Sequence, residues 1–304
     1  MHVHWFEKLD RPLKNRSRFI VPVLLFMVLC GCVRSIPSVQ DRLTLANQIA
    51  TQGGIAQVHH YPDTRFPLAS WQSDLSESQG GDVHVYIEGD GLAWLTPSRI
   101  SANPTPIDPL ALKLAAQDPY RFKVYLGRPG QYGDGPHCDN RYWTSHRFNR
   151  EIVARYQVVL NDIKSRYDVK SFTLIGYSGG GAIAALLAAQ RDDVAMLMTV
   201  AGNLDTRFWT QWHHLSPLDG SLNPADFAAA LSHVPQFHLV GEKDRIVGLP
   251  VFESFRQKLV APRSFEWQLY EGFDHHCCWD SVWQAELLKR ISSQAEGRPL
   301  MGND

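Results

Sequence analysis

The chain has 304 residues, 44% of them apolar and 20% charged, with 22 glycines and 18 prolines. That balance suits one large globular domain and excludes a disordered chain, a collagen-like repeat and a multi-span membrane protein. Thirty basic residues against 31 acidic ones leave a formal charge of −1, so no global basic field argues for nucleic acid.

The first thirty residues have a different character from the rest. Arg11, Lys14, Arg16 and Arg18 precede an apolar run from Phe19 to Cys30. The run is shorter than the roughly 20 residues of a comfortable membrane span, and Pro22 interrupts it. Basic residues, a short apolar core and then small residues are the layout of a secretory signal. The segment Leu29-Cys30-Gly31-Cys32 resembles a bacterial lipoprotein signal: an aliphatic residue, a small residue, then the cysteine. That resemblance implies that residues 1–31 are removed and that lipidated Cys32 becomes the mature N-terminus. Cys30 is an unusual neighbour in the pattern. A plain signal cut nearby and an uncleaved anchor are the alternatives. All three place the mature chain outside the cytoplasm, and a lipid anchor makes the membrane a partner.

Export changes the reading of the cysteines, because disulfides are permitted there. Besides Cys32, the mature chain holds Cys138, Cys277 and Cys278. Either Cys138 pairs with one of the adjacent two, or those two bridge each other; sequence does not decide. His275 and His276 adjoin the pair, which raises a zinc site, but no second cluster has ligand spacing. No metal is expected.

Residues 32–53 are polar and mixed, with a short helix allowed over Asp41–Thr51, and read as a tether. From residue 54 strand and helix signals alternate. Ile55–Tyr61 and Arg65–Trp71 read as a hairpin around Pro62-Asp63. Val83–Glu88 reads as a strand. Asp108–Gln117 reads as a helix with Asp108 as N-cap and Pro109 in the first position. Phe122–Leu126 is a strand. Phe148–Tyr167 carries Ile152, Tyr156, Leu160, Ile163 and Tyr167 on one helical stripe. Phe172–Ile175 is a short strand, Ala182–Gln190 an Ala/Leu-rich helix, and Ala195–Val200 a buried strand. Gln236–Val240, a helix near Val251–Leu259, Phe265–Tyr270 and a helix Trp279–Ile291 complete the series. Apolar strands separated by helices predict a mostly parallel sheet with helices on both faces. Residues 294–304 read as a polar tail.

The informative turn is Gly176-Tyr177-Ser178-Gly179-Gly180, between an apolar strand and an Ala-rich helix. This is a G-x-S-x-G nucleophile elbow in its expected context. The glycines remove clashes at strained angles, and the helix start offers free N–H groups and a positive dipole end. Those groups suit a developing oxyanion, beginning with the Gly179 N–H. A Gly-rich turn holding a serine by chance is the competing reading.

With these residues the chain resembles an α/β-hydrolase over residues 54–293. The family order is nucleophile, acid, histidine. After Ser178, a strand opens into Gly241-Glu242-Lys243-Asp244-Arg245-Ile246-Val247, and Asp244 matches the acid position, with Glu242 as fallback. The last strand leads into Gly272-Phe273-Asp274-His275, which matches the family's histidine loop; His276 competes. The resemblance implies a single α/β domain with a short lid over residues 201–235. It implies that Ser178 attacks a carbonyl, His275 moves the proton and Asp244 orients the histidine.

The second oxyanion donor of this family comes from the loop after an early strand, here Glu88-Gly89-Asp90-Gly91. Glu88 stands where a histidine is usual. Alignment on Gly89 implies the Asp90 N–H as donor, with Gly91 as backup, and the Asp90 side chain is expected to point away or bind an amide. No third glycine makes this a dinucleotide loop, so no cofactor is expected. The excursion over residues 127–147 holds Arg128, Tyr132, Cys138 and Trp143, which are candidate walls of the site, as is Trp94. The lid holds Trp209, Trp212, His213 and His214. The expected activity is hydrolysis of a carboxylic ester through an acyl-enzyme. The alternatives are amide or peptide hydrolysis, and a non-catalytic envelope lipoprotein that binds a ligand or partner.

Overall fold

The computed structural model describes residues 36–58, 61–63, 65–133, 139–262 and 264–295. In chain order they form α1 (Val39–Gln52), β1 (Gln57–Val58), β2 (Ser70–Gln72), β3 (Asp82–Ile87), β4 (Trp94–Thr96), β5 (Arg99–Ile100), α2 (Leu110–Gln117), β6 (Lys123–Leu126), α3 (Arg150–Tyr167) and β7 (Ser171–Tyr177). Then follow α4 (Gly179–Ala188), β8 (Val194–Val200), α5 (Thr206–Trp212), α6 (Ala228–Leu231), β9 (Gln236–Gly241), α7 (Gly248–Arg256), β10 (Phe265–Tyr270) and α8 (Trp279–Ala295). The proposed lipidation residue Cys32, the signal segment, Cys138 and the end of the polar tail lie outside the described residues.

Eight strands form one sheet in the order β1-β2-β6-β3-β7-β8-β9-β10. The six from β6 to β10 pair in parallel; β1 with β2 and β2 with β6 are antiparallel. This is the mostly parallel α/β sheet that the alternating signals predict. The predicted hairpin is present, with Val58 opposite Trp71 and a bridge from Tyr61 to Leu68.

The pleat sorts alternate residues of each strand to two cores. Val83, Val85, Val124, Leu126, Phe172 and Leu174 join side chains of α3, α4 and α7 on one face. Tyr86, Tyr125, Ile175, Met196, Met198 and Phe237 join side chains of α1, α2 and α8 on the other. Helices therefore cover both faces. All ten residues of α4 are buried, so its Ala/Leu composition reflects a helix walled in on every side.

Three expectations need correction. From Val39 the supposed tether is a helix of the domain: Ala46 and Ala50 are fully buried, and the Trp71 indole donates to Asn47 at 2.8 Å. A capping box between Ser38 and Asp41 starts that helix. A Cβ at Gly53 would overlap Ala116 backbone and side chain, so only glycine lets α1 close onto α2. Second, Asp108 is not the N-cap of α2; Pro109 holds that position and Asp108 pairs with Lys113 instead. Third, β4 and β5 form a separate small hairpin that the alternation did not reveal.

Candidate active site

Ser178 sits between the end of β7 and the start of α4 with φ 52° and ψ −119°. A non-glycine residue in that region is strained, and such strain persists only where the surroundings impose it. Here they do. A Cβ at Gly176 would overlap the Gly180 carbonyl, and one at Gly180 would overlap the carbonyls of Ile87 and Glu88. The glycines let the strand end, the elbow and the loop after β3 stack backbone on backbone. The Ser178 N–H donates to the Val200 carbonyl, and the Ser178 carbonyl accepts from Gly181 and Asn203. The elbow is thereby tied to the end of β8 and to Asn203 just beyond it.

His275 reaches Ser178 from the loop between β10 and α8. Its Nε2 lies 2.9 Å from Ser178 Oγ, and its Nδ1 lies 2.8 Å from Asp244 Oδ2. Asp244 follows β9. Its other oxygen accepts the N–H groups of Ile246 at 2.8 Å and Val247 at 3.0 Å. Burial alone would raise the Asp244 pKa, but the His275 bond and those amides outweigh it and hold the carboxyl below its usual range. An ionised Asp244 accepts a hydrogen bond from the Nδ1–H group of His275, which leaves Nε2 to accept from the serine hydroxyl.

The structure brings Ser178, Asp244 and His275 together and leaves their competitors elsewhere. His276 lies 3.0 Å from the Tyr177 hydroxyl, which also donates to the His275 carbonyl at 3.1 Å. Burial, then the neighbouring His275, lower the His276 pKa. Glu242 accepts the Gly272 N–H and braces the loop. Asp274 accepts the N–H groups of His276 and Cys277, which makes it the turn former. Cys277 and Cys278 are joined to each other. Of the pairings left open by the sequence, the vicinal one is present. Among the described residues no group of three His, Cys, Asp or Glu is arranged to hold a metal ion.

The other wall of the site is the loop after β3. A Cβ at Gly89 would lie 3.0 Å from the Tyr177 ring and 3.4 Å from Ser178 Cβ, so this loop presses on the elbow. The first N–H groups of α4, Gly179 included, have no partner within the helix. Among the described residues the Asp90 N–H has no acceptor either. Asp90 points its carboxylate at two guanidinium groups, Arg147 Nη1 at 2.6 Å and Arg128 Nη1 at 3.1 Å. Where a turn away from the site or a bond to an amide was expected, the Asp90 carboxylate instead pairs with two arginines and lies against Gly179. Burial raises its pKa, and the two arginines pull it below the usual range. The same carboxylate occupies the space that a Gly179 side chain would fill. Gly179 is thus fixed by Asp90 as well as by the turn.

Glu88, the departure from the usual histidine, is buried. It accepts the Gly89 N–H at 2.8 Å and the Tyr125 hydroxyl at 3.0 Å, and Tyr125 continues to Tyr132 at 3.0 Å. Desolvation pushes its carboxyl up to about 7, against the pull of those donors and of the Ala111 and Leu112 amides. Glu88 therefore holds its proton more tightly in the folded chain than in the unfolded one, where the ordinary value is 4.5. Stability present at low pH is lost as pH rises from 4.5 to about 7. The loss amounts to as much as about 3 kcal/mol. Urea unfolding at about pH 5 and about pH 8 will show the parent losing stability across that interval relative to Glu88→Gln. Parallel curves for the two proteins would refute it.

A cavity of about 440 Å³ opens over these groups, lined by Ser178, His275, Leu92, Ile107, Asn203 and Trp209 among others. Trp209, on α5, reaches it; its indole and His213 both bond the Ile246 carbonyl. Trp94 lines a second cavity beside the first. Arg128, Tyr132 and Trp143 are buried behind the wall rather than on it. Sequence reasoning did not single out Arg147 or Asn203. Neither carries a motif; only the end of the 127–147 excursion pointed near Arg147.

An α/β sheet, a strained serine at a strand-to-helix elbow and a histidine–aspartate pair against it define the class. The chain belongs to the α/β hydrolase fold family, whose model matches residues 121–275. Among solved structures it is similar to a puromycin hydrolase at 17% identity and TM-score 0.57, covering 82% of this chain but 40% of that one. It is similar to the 2,6-dihydroxy-pseudo-oxynicotine hydrolase at 14% identity and TM-score 0.54, over 80% of this chain and 69% of that one. An esterase of Pyrococcus furiosus matches at 11% identity and TM-score 0.52, over 83% and 96%. At such identities the likeness is one of fold. A search of curated protein sequences gives no match.

Proposed function

We propose that this protein is a serine hydrolase of carboxylic esters. The observation that carries the reading is the line Ser178–His275–Asp244, with contacts of 2.9 and 2.8 Å, whose Ser178 and His275 line a cavity of about 440 Å³. In this reading Ser178 Oγ forms a bond to the ester carbonyl carbon as His275 Nε2 takes the hydroxyl proton. The carbonyl oxygen becomes an oxyanion held by the N–H groups of Gly179 and Asp90. Collapse breaks the carbon–oxygen bond of the alcohol, which leaves with the proton from His275. Water repeats the sequence on the acyl-enzyme: His275 takes a water proton and returns it to Ser178 Oγ, releasing the acid. Asp244 stays ionised throughout and stabilises the imidazolium.

The experiment is a p-nitrophenyl ester series of increasing acyl length, followed in the first turnovers. The reading expects a burst of p-nitrophenolate stoichiometric with enzyme, then a steady rate set by deacylation. Folded protein that hydrolyses no member of the series would overturn it.

The proposal includes an address. The arrangement of Arg11 to Arg18, the apolar run and Leu29 to Cys32 supports an exported chain held to a membrane by lipid on Cys32. Metabolic labelling with an alkyne fatty acid will tag the full-length protein, and Cys32→Ser will abolish the tag. Equal labelling of both would remove the anchor from the account.

A further inference from the structure

Arg147 stands where two cavities meet. One is the 440 Å³ cavity over Ser178; the other, of about 670 Å³, is lined by Trp94, Pro97, Leu215 and Leu218. Asp90, Gly91, Arg147 and Trp209 line both. A molecule that reaches from Ser178 into the second cavity passes the Arg147 guanidinium. The second cavity is apolar in most of its named walls, and Trp94 and Leu215 are exposed there.

The junction carries one positive charge more than it needs. Asp90 is a single carboxylate shared by Arg128 and Arg147. Arg128 lies behind the cavity walls, with Nη2 on the Arg147 carbonyl, its guanidinium against the Phe148 ring and its Nε buried without an acceptor among the described residues, so the donor that borders the cavities is Arg147. Arg147 spends Nε on the Thr144 carbonyl at 2.7 Å and Nη1 on Asp90, while Nη2 has no acceptor among the described residues. Its guanidinium lies 5.7 Å from the Trp209 ring, on the cavity side. The remaining acids near the first cavity are engaged: Asp108 with Lys113, Asp244 with His275, and Glu88 in its buried cage. Among the described residues Asp90 is the one carboxylate paired with Arg147, it is shared with Arg128, and the Arg147 side chain, 10% exposed, borders both cavities.

We infer that the substrate is an anionic amphiphile: an ester with a carboxylate near the scissile bond, taken by Arg147, and an apolar arm seated in the second cavity. This inference rests on the hydrolase reading above and names its substrate class. A guanidinium recognises a carboxylate through paired N–H donors in a fixed plane, which neutral esters cannot exploit.

Two matched pairs of esters test it on the unmodified protein. With charge on the acyl side, p-nitrophenyl hydrogen adipate is compared with p-nitrophenyl adipamate. With charge on the alcohol side, p-(carboxymethyl)phenyl butyrate is compared with its carboxamide. In at least one pair the carboxylate member is expected to show kcat/KM higher by about tenfold or more, the effect of one charge-assisted contact. In Arg147→Gln that ratio falls toward one. A merely structural role for Arg147 would lower both members of the pair in proportion and leave the ratio where it was. Should Arg147→Gln fail to fold, the ratio in the parent and its loss with added salt decide alone. Turnover of all four esters with no preference in either pair overturns the inference while the hydrolase reading stands. No turnover of any of the four, together with no burst from the p-nitrophenyl series, sinks both.

Discussion

Replacing Ser178 with alanine will lower kcat/KM for p-nitrophenyl esters by about ten-thousand-fold or more, and stability will change by no more than about 1 kcal/mol. The substitution removes one oxygen. That oxygen lies 2.9 Å from His275 Nε2, and Ser178 lines the cavity. The strained backbone at φ 52° is imposed by Gly176, Gly180 and the ties to Val200 and Asn203, none of which the change touches. Activity therefore falls without the fold. His275→Ala should fall about as far, and the double variant little further, because the two residues act as one unit. Losses that multiply would mean that they work independently. Steady-state kinetics with urea unfolding of each variant checks both halves.

Trp279→Ala will destabilise the protein by about 3–5 kcal/mol. Trp279 is fully buried at the start of α8 and packs edge-on against Tyr270 at 5.7 Å and Phe273 at 5.2 Å. Its indole N–H donates to the His275 carbonyl at 3.2 Å. Truncation thus opens a cavity behind the histidine loop and removes one of the two donors on that carbonyl, the other being Tyr177. Trp279→Phe should recover most of the stability and still lower kcat more than KM, since the bulk returns but the donor does not. Urea midpoints and kinetics of the two variants separate packing from positioning. Unchanged kcat in Trp279→Phe would show that the indole bond does nothing for His275.

The parts of the site legible in the sequence were those set by short-range geometry. The elbow needs glycines at fixed offsets around Ser178, and the backbone overlaps at Gly176 and Gly180 are the reason. Asp244 and His275 each follow a strand whose apolar pattern was clear, so their place at one edge of the sheet followed from a parallel topology. The sequence leaves His275 and His276 as competitors for the base. The choice is made by tertiary contacts: Tyr177 receives one ring while Ser178 and Asp244 receive the other.

What sequence could not show depends on distant partners. The Asp90 clamp joins residues from two separate excursions, and neither arginine has a motif. Helix α1 read as a tether because its apolar residues, Leu43, Ala46, Ile49 and Ala50 among them, are interspersed with polar ones. It docks through Ala46 and Ala50 with Leu43 and Ile49 beside them, and Gly53 lets α2 approach closely. Glu88 read as a departure from pattern. Its buried contacts with Gly89 and Tyr125 make it a brace for the loop that presses on Ser178.

The central claim is that Ser178 is a nucleophile activated by His275. Its most direct test is reaction of the folded protein with a fluorophosphonate, followed by peptide mass spectrometry. The account predicts one adduct, on the peptide containing Ser178, formed rapidly in the parent and lost in both Ser178→Ala and His275→Ala. A folded parent that takes up no label, or that takes it on another residue while Ser178 stays free, would contradict it.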